Sequence, residues 1–216
     1  MWGSTITAIA SDPMTVAGVL LAAGGSRRLG SPKQLLKVNG VTLVERAARH
    51  LVEAGCAPVL VIIGADAANV RDAVSMLAVQ CVENADWERG MGTSIARAVT
   101  QLNDVRFTGI RAALIATCDM PTVSADHLRS LIATSDQGAE RVASAYAGPD
   151  GGAVVGIPAV LPRADWPTLA ELDGDQGARG LLRDSRTLTV SLRHGNFDLD
   201  TPDDVAAWRA TDGASP

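Results

Sequence analysis

The chain has 216 residues, of which 47% are hydrophobic and 3% aromatic, and its formal net charge at pH 7 is −5. This length suits one domain with a substantial core, and no uninterrupted apolar run reaches the roughly 20 residues of a membrane span. The acidic balance and the lack of a basic patch argue against a nucleic-acid-binding protein. The three cysteines (Cys56, Cys81, Cys118) are widely spaced, so we expect reduced thiols in a cytoplasmic protein.

Residues 1–14 lack the charged start and the long apolar stretch of a signal peptide. They are predicted to be a disordered extension before a single domain that spans residues 15–212.

In the first part of the chain, short apolar runs alternate regularly with helical patterns. Buried strands are predicted over residues 16–22, 58–63, 79–82 and 111–116. Helices are predicted from an N-cap at Thr42 to about residue 52, from an N-cap at Asp66 to about residue 76, over 93–102, and from an N-cap at Ser124 to residue 133. Such strand–helix units predict an α/β fold with three layers and a doubly wound, mostly parallel sheet.

The pattern changes after Arg141. A strand is predicted over 142–147, the Gly- and Pro-rich residues 148–156 interrupt it, short helical segments surround 171–180, and a last strand covers 188–192. The final helix is predicted to begin with Thr201 as its N-cap and Pro202 at its first position. Asp203 and Asp204 then lie near its positive end.

A glycine-rich, basic loop follows the first strand directly, with the sequence LAAGGSRRLGSPK over residues 21–33. Glycines let the backbone approach a ligand closely, and Arg27, Arg28 and Lys33 supply charge that can hold a triphosphate. A flexible surface turn with solvated charges is the alternative interpretation. The loop is neither a G-x-G-x-x-G turn nor a P-loop, because Pro32 lies where a P-loop would continue as a helix.

The run LAAGGSRRLGSPKQLL resembles the L-A-A-G-x-S-x-R-x-G-x-x-K signature of the molybdenum cofactor cytidylyltransferases, and every defined position of that pattern is present. The resemblance implies a Rossmann-like nucleotidyltransferase fold and a loop that wraps the phosphates of an NTP, with Arg28 and Lys33 as basic catalytic residues. In the loop, the nucleotide-binding residues that it implies are Leu21, Ala22, Ala23, Gly24, Gly25, Ser26, Arg28 and Lys33. The Leu-Ala-Ala-Gly form resembles members that use CTP, whereas related guanylyltransferases usually show Leu-Ala-Gly-Gly.

A second segment, NADWERGMGTSI over residues 84–95, is similar to the family's N-x-x-W-x-x-G-M-x-x-S. It lies between a predicted strand and a helix N-terminus, where amide groups can reach a base or a phosphate. The resemblance implies that Gly90 and Ser94 contact the nucleotide. Simple helix capping by Thr93 or Ser94 is the alternative; it would explain the hydroxyls but not the Gly-Met pair.

Two acidic segments resemble the family's metal-binding motifs. Asp119 follows a predicted strand in TCDMP, similar to C-D-x-P, and carboxylates at that edge of a sheet suit Mg²⁺. FDLDTPDD resembles the closing D-x-D-T-P-x-D, and alternation places Asp198 and Asp200 on one side of an extended chain. The resemblance therefore implies Mg²⁺ as cofactor, with Asp119 as a catalytic residue and metal ligand and with Asp198, preferred to Asp200, as the second carboxylate.

The acceptor site is implied by LDGDQGAR over residues 172–179, which resembles L-x-G-D-x-G-A-R and points to Asp175 and Arg179. A structural alternative has Asp175 as a helix cap that pairs with Arg179. One departure concerns Gly156-Ile157-Pro158, where enzymes acting on molybdopterin tend to show Gly-His-Pro. The acceptor therefore stays open between molybdopterin and another small phosphorylated molecule.

The reaction that the resemblance implies is attack by an acceptor phosphate or hydroxyl on the α-phosphorus of an NTP, with release of pyrophosphate. Positioning, a metal ion and basic side chains can supply most of the catalysis. The histidines His50, His127 and His194 are expected to be structural. Two alternatives remain: the same chemistry on a phosphosugar or phosphoacid, and a non-catalytic nucleotide-binding module, for example one that partners a molybdenum oxidoreductase.

Overall fold

The computed structural model describes residues 15–26, 29–137, 141–148, 152–193, 195, 197–199 and 201–212, with side chains described up to residue 208. The predictions made for residues 1–14, Arg28, His194 and Asp200 lie outside this set. The single domain over residues 15–212 stays a prediction.

The strands are β1 (Val16–Ala22), β2 (Lys37–Val38), β3 (Val41–Thr42), β4 (Val59–Ile63), β5 (Gln80–Glu83), β6 (Ala112–Thr117), β7 (Arg141–Ala147), β8 (Ala153–Pro162) and β9 (Thr187–Ser191). Seven of them form one sheet in the order β5-β4-β1-β6-β8-β7-β9, and β2 and β3 form a hairpin. Strands β5, β4, β1 and β6 are parallel, β8 is antiparallel to both of its neighbours, and β9 is parallel to β7. The predicted α/β class with a mostly parallel sheet is confirmed.

The helices are α1 (Leu43–Glu53), α2 (Ala67–Ala73), α3 (Met91–Leu102), α4 (Ala125–Asp136), α5 (Trp166–Ala170), α6 (Arg179–Leu182) and α7 (Pro202–Asp212). Side chains of α1, α2 and α4 pack on one face of the sheet, and those of α3, α5 and α6 pack on the other. Residues of β1 alternate between these two cores, as expected of a strand buried on both faces. Within the described ranges, no helix combines the length and the apolar character that crossing a membrane requires.

Three predicted helix caps are confirmed and one is wrong. The Thr201 hydroxyl accepts a hydrogen bond from the amide of Asp204 at 3.2 Å. The Thr42 hydroxyl accepts a hydrogen bond from the amide of Glu45, and the Ser124 hydroxyl accepts one from the amide of His127. Asp66 instead adopts a left-handed conformation with φ of 55° and makes no capping bond. Its carboxylate accepts a bond from the Asn69 side chain, and the helix ends at residue 73 rather than near 76.

Strand β8 was missed because glycine and two prolines cover the region where it lies. Its register explains how a central strand tolerates them: Ala159 pairs with Ala143, whereas Gly156 pairs with Ser144. Ile157 and Pro158 are therefore extra residues in a β-bulge, where a proline removes no ladder hydrogen bond. Bulges of this kind re-aim side chains, which matters for the site below.

Candidate functional site

A cleft of about 380 Å³ lies at the carboxyl ends of β1 and β6. This is the edge at which open α/β sheets bind their ligands. The predicted site residues that line it are Leu21, Ala22, Ala23, Gly24, Gly25, Lys33, Gly90, Ser94, Asp119 and Asp175. The structure therefore brings together residues from four of the five motifs, all but the closing acidic segment.

The loop after β1 is held by the side chain of Gln34, which sequence reasoning missed. Gln34 is only 1% exposed. Its amide donates hydrogen bonds to the carbonyls of Ala22, at 3.0 Å, and Gly24, at 2.5 Å. The Ser26 hydroxyl accepts a bond from the Lys33 amide at 2.9 Å and donates one to Gln34 at 3.3 Å. These bonds fix the curve of the loop, which rules out the flexible surface turn for its described residues.

Lys33 and Asp119 meet across the cleft although 86 residues separate them. The distance from Lys33 Nζ to Asp119 Oδ2 is 2.5 Å, and the two side chains are 20% and 15% exposed. Charge-assisted hydrogen bonds in partly desolvated places are the strong ones, so this pair joins the phosphate-loop motif to the C-D-x-P motif.

Asp198 is brought beside Asp119 by the backbone. The amide of Leu199, a fully buried residue, donates to the carbonyl of Asp119 at 3.0 Å. Within the described ranges, no group of three or more His, Cys, Asp or Glu side chains is placed to hold a metal ion. One or two carboxylates suffice for Mg²⁺ when substrate phosphates supply other ligands, and Asp119 already faces a positive charge, that of the Lys33 ammonium group. The donor set therefore fits a hard divalent cation.

Helix α3 begins at Met91 rather than at residue 93, and neither hydroxyl caps it. Its N-cap is Gly90, which makes no side-chain capping bond. The buried amide of Asn84 instead donates to the hydroxyls of Thr93, at 2.9 Å, and Ser94, at 3.0 Å. The capping alternative is therefore wrong, and the Ser94 side chain lines the cleft.

Trp87 forms a wall of the cleft that sequence reasoning did not assign to the site. A Cβ at Gly64, just after β4, would lie 2.6 Å from Trp87 Cγ, and one at Gly25 would lie 2.8 Å from Cζ3. Two glycines thus make room for one indole ring against the loop after β1. Trp87 matches the tryptophan in the family motif, and this match was the sequence signal that could have assigned it to the site.

A second cavity, of about 290 Å³, adjoins the cleft and shares Met91 and Asp175 with it. Arg179 also lines this cavity. Helix α6 has Ala178 as its N-cap, without a side-chain bond, so Asp175 is not its cap. Among the ion pairs of the described residues, none joins Asp175 to Arg179, which makes the structural alternative for these residues wrong.

Glycine residues also lie where the two cavities adjoin. Gly90 has φ of 124°, a conformation that favours glycine, and a Cβ there would overlap the carbonyl carbon of Gly174 and lie 2.7 Å from Asp175 N. The amide of Gly92 donates to the carbonyl of Gly174 at 2.8 Å. The start of α3 is therefore packed directly on the loop that carries Asp175.

His50 and His127 are half-buried, and Cys118 is buried. His50 Nδ1 lies 2.9 Å from the Val123 carbonyl, and His127 Nε2 lies 2.8 Å from Ser144 Oγ. Burial lowers the pKa of both imidazoles. Burial raises the pKa of the Cys118 thiol to about 12, so this cysteine beside Asp119 stays a protonated thiol.

A glycine-rich loop with a lysine, a carboxylate at the end of the neighbouring parallel strand and an adjoining second cavity are the parts of an α/β nucleotidyltransferase. Comparison with known proteins agrees: the model of the MobA-like NTP transferase domain matches residues 18–190. The chain belongs to this family of NTP transferases.

Three similar proteins illustrate the range of the family. Nicotine blue oxidoreductase of Paenarthrobacter nicotinovorans is 36% identical over 178 residues, which cover 80% of this chain and 84% of that one. A probable molybdenum cofactor guanylyltransferase of Opitutus terrae is 32% identical over 117 residues, 54% of each chain. The crystal structure of Rv0371c from Mycobacterium tuberculosis H37Rv superposes with a TM-score of 0.76 at 26% identity, covering 92% of this chain and 100% of that one. A further structure of Rv0371c is a complex with manganese.

Proposed function

We propose that the protein transfers a nucleoside monophosphate from a Mg²⁺-bound NTP, with CTP favoured, to a small phosphorylated acceptor. In this reaction an acceptor phosphate oxygen bonds to the α-phosphorus, and the bond from that phosphorus to the bridging oxygen of the β-phosphate breaks. Pyrophosphate leaves with the electron pair. The observation that carries the proposal is the Lys33–Asp119 pair across the cleft, 2.5 Å between its charged atoms.

The nucleotide lies in the cleft, with its triphosphate against the loop after β1. The carbonyls of Ala22 and Gly24 are engaged by Gln34, which leaves the loop curved around the position of the ligand. Lys33 supplies positive charge to the phosphates, because it already lies in the cleft at the end of that loop. Arg28 is proposed to do the same from the variable part of the loop, on the strength of the motif alone.

Asp119 and Asp198 are the proposed ligands of Mg²⁺, with Asp200 as a further candidate from the motif. When bound, the metal ion neutralises charge on the phosphates and orients them. Lys33, whose ammonium group contacts Asp119, would lie close enough to a metal-bound triphosphate to supply positive charge to it. The manganese complex of Rv0371c supports a divalent cation in this family.

The acceptor is proposed to lie in the second cavity, beside Asp175 and Arg179. Molybdopterin is the first acceptor to test, because the relative from Opitutus terrae is named a molybdenum cofactor guanylyltransferase. A phosphosugar or phosphoacid is the alternative acceptor. The proposed setting is the cytoplasm, where the free cysteines stay reduced, and a molybdenum oxidoreductase is the proposed recipient of the product.

The test is pyrophosphate release with Mg²⁺, molybdopterin and each of CTP, GTP, ATP and UTP in separate reactions. We expect release with CTP, and omission of either Mg²⁺ or the acceptor should abolish it. Release with another base would keep the transfer reaction and reject the CTP preference. If no NTP yields pyrophosphate with molybdopterin or with a panel of phosphosugars and phosphoacids, the transfer reaction itself is rejected.

The relative from Paenarthrobacter nicotinovorans supports a second candidate, an oxidoreductase acting on nicotine blue or a similar molecule. The same protein preparation is incubated with nicotine blue and NADH or NADPH, and absorbance at the nicotinamide band is followed. Substrate-dependent oxidation of the dinucleotide without pyrophosphate chemistry would favour this activity over nucleotidyl transfer.

A further inference from the structure

Tyr146 lines the second cavity but belongs to none of the motifs, and it is the one tyrosine of the chain. It lies near the end of β7, half-buried, and pairs with Val154 of β8. It lines this cavity together with Asp175 and Arg179, the proposed acceptor residues.

Two glycines fix where the ring and the hydroxyl of Tyr146 lie. A Cβ at Gly156 would be 2.9 Å from the hydroxyl oxygen, and one at Gly195 would be 2.8 Å from Tyr146 Cβ and Cγ. The hydroxyl therefore lies directly over the backbone of Gly156, a position that a larger residue there would displace. This is a built position rather than a mobile surface side chain.

The hydroxyl borders the cavity, and among the described residues it has no hydrogen-bond partner. Burial and the charges of Asp198 and Asp119 raise the pKa of Tyr146, while Arg179 acts in the opposite direction. The hydroxyl is therefore protonated and can donate a hydrogen bond. The charges of Asp119, Asp198 and Arg179 all act on it. A hydroxyl donor and a guanidinium group that line one cavity can together recognise a phosphate.

The rest of the cavity is largely apolar. Its wall includes Ile95, Leu182 and Ile157, and the β-bulge in β8 is what aims Ile157 at this end of the sheet. A polyol phosphate carries several hydroxyls that would lose hydrogen bonds to water against such a wall. An apolar or flat body would gain from burial there.

Building on the proposed function, we propose that the Tyr146 hydroxyl and the Arg179 guanidinium together bind the phosphate of the acceptor. The apolar wall beside them selects an acceptor with a flat or apolar body over a polyol phosphate. Tyr146 is then a direct acceptor contact, and Ile157 contributes to acceptor choice.

The single tyrosine allows a direct binding experiment on the full chain. Protein labelled with 3-fluorotyrosine gives one ¹⁹F resonance, which is titrated with phenyl phosphate and, separately, with glucose 1-phosphate in buffer without Mg²⁺. We expect a saturable shift with phenyl phosphate and a Kd about ten-fold higher, or more, for glucose 1-phosphate. The Arg179→Gln variant should raise the Kd for phenyl phosphate about ten-fold, as expected for loss of a hydrogen bond to a charged group.

Arg183→Gln is the matched control, because Arg183 is exposed, follows the same helix and carries the same charge. It should leave the Kd for phenyl phosphate unchanged. An unshifted resonance with both phosphates, or equal Kd values for the two, overturns the proposal. Displacement of phenyl phosphate by CTP also overturns it, because Tyr146 would then belong to the nucleotide side.

Kinetics separate this inference from the proposed function. Tyr146→Phe keeps the ring and removes the hydroxyl, so the acceptor KM should rise about ten-fold while the KM for the NTP and the unfolding midpoint stay unchanged. Transfer with an unchanged acceptor KM would reject the role of Tyr146 and leave the function standing. Absence of transfer in the unmodified protein, alongside the expected ¹⁹F titrations, would reject the function and leave the phosphate site standing.

Discussion

The two cavities are shaped by different kinds of interaction. In the cleft, the proposed nucleotide side, two buried amide side chains supply the order: Gln34 holds two carbonyls of the loop, and Asn84 holds the hydroxyls of Thr93 and Ser94. In the second cavity, the proposed acceptor side, the order comes from close packing around glycines, with Tyr146 over Gly156 and the start of α3 against Gly174. In the cleft, packing of this kind adds to the amide bonds, with Trp87 against Gly25 and Gly64.

This difference determines which substitutions each side tolerates. Deleting a polar group should damage the nucleotide side, because a buried carbonyl or hydroxyl then loses its partner. Adding a single methyl group should damage the acceptor side, because backbone atoms already occupy the space it needs.

Asp119→Ala should have the largest effect on activity. The substitution removes the carboxylate that faces Lys33 and, by our proposal, the metal ion. Loss of about 4 kcal/mol of transition-state stabilisation corresponds to roughly a thousand-fold lower kcat/KM. Pyrophosphate release measures the loss, and Asp136→Ala, an exposed carboxylate on α4, is the control. Turnover within a few-fold of the unmodified protein would reject Asp119 as a metal ligand.

Gly90→Ala should have the largest effect on stability. The residue has φ of 124°, and the new Cβ would overlap the Gly174 carbonyl carbon, so both strain and overlap oppose the folded state. We expect the free energy of unfolding to fall by about 3 kcal/mol. Urea unfolding measures this, with Gly109→Ala as the control because its Cβ would meet nothing within 4 Å. Equal stabilities for the two variants would contradict the packing account of the acceptor side.

Gln34→Leu should have a smaller effect on stability and a distinct effect on function. The leucine fills a similar volume, but the carbonyls of Ala22 and Gly24 lose their donor. We expect about 2 kcal/mol lower stability and about ten-fold weaker NTP binding, measured by urea unfolding and by calorimetric titration.

The control for that substitution is Gln137→Leu, because Gln137 is exposed at the end of α4. It should change neither quantity. NTP binding that survives Gln34→Leu unchanged would show that the loop holds its shape without the buried amide.

The first half of the fold was largely predictable, because the signals for its strands and helices lie within short stretches of the sequence. Buried parallel strands appear as short apolar runs, and caps such as Thr42 and Ser124 act on residues three positions away. One failure depends on a distant contact: β8 was missed because its prolines are accommodated only by a bulge against β7. Asp66 failed as a cap because its own backbone is left-handed.

The residues of the candidate site also divide into those that a local sequence pattern indicates and those that contacts in the folded chain position. The motifs located Lys33, Asp119, Asp175 and Arg179, because these residues lie in segments that each keep a recognisable pattern. Gln34 and Tyr146 carry no pattern of their own. Their positions follow from carbonyls and glycines that meet them only in the folded chain.

The smallest expected effect is on how the stability of the protein depends on pH, and it concerns only the second cavity, the proposed acceptor side. The Ser144 hydroxyl donates its hydrogen to the Pro158 carbonyl at 2.7 Å. Because a hydroxyl has only one hydrogen, His127 Nε2 must donate to the Ser144 oxygen. These two hydrogen bonds hold the bulge that carries Ile157. Burial lowers the pKa of His127 from its ordinary value of 6.5. Below pH 6.5 the unfolded chain therefore takes up a proton that the folded protein does not, and stability falls as pH drops towards the folded pKa. Above pH 6.5 the imidazole is neutral in both states and contributes no pH dependence.

The urea concentration at the unfolding midpoint, measured at pH 7.5, 6.5 and 5.5, should therefore decline as the pH is lowered. The decline should be smaller for the His127→Gln variant than for the unmodified protein. Some decline should remain in the variant, because burial also lowers the pKa of His50. The acidic groups with lowered pKa, such as Asp104 and Asp173, start from 3.8 and titrate below this window, so they do not obscure the comparison. Identical slopes for the two proteins would show that His127 is solvated rather than buried against the bulge. In that event the Ser144–Pro158 bond alone would hold Ile157 in the second cavity, and Ser144→Ala becomes the variant that should disturb the acceptor side.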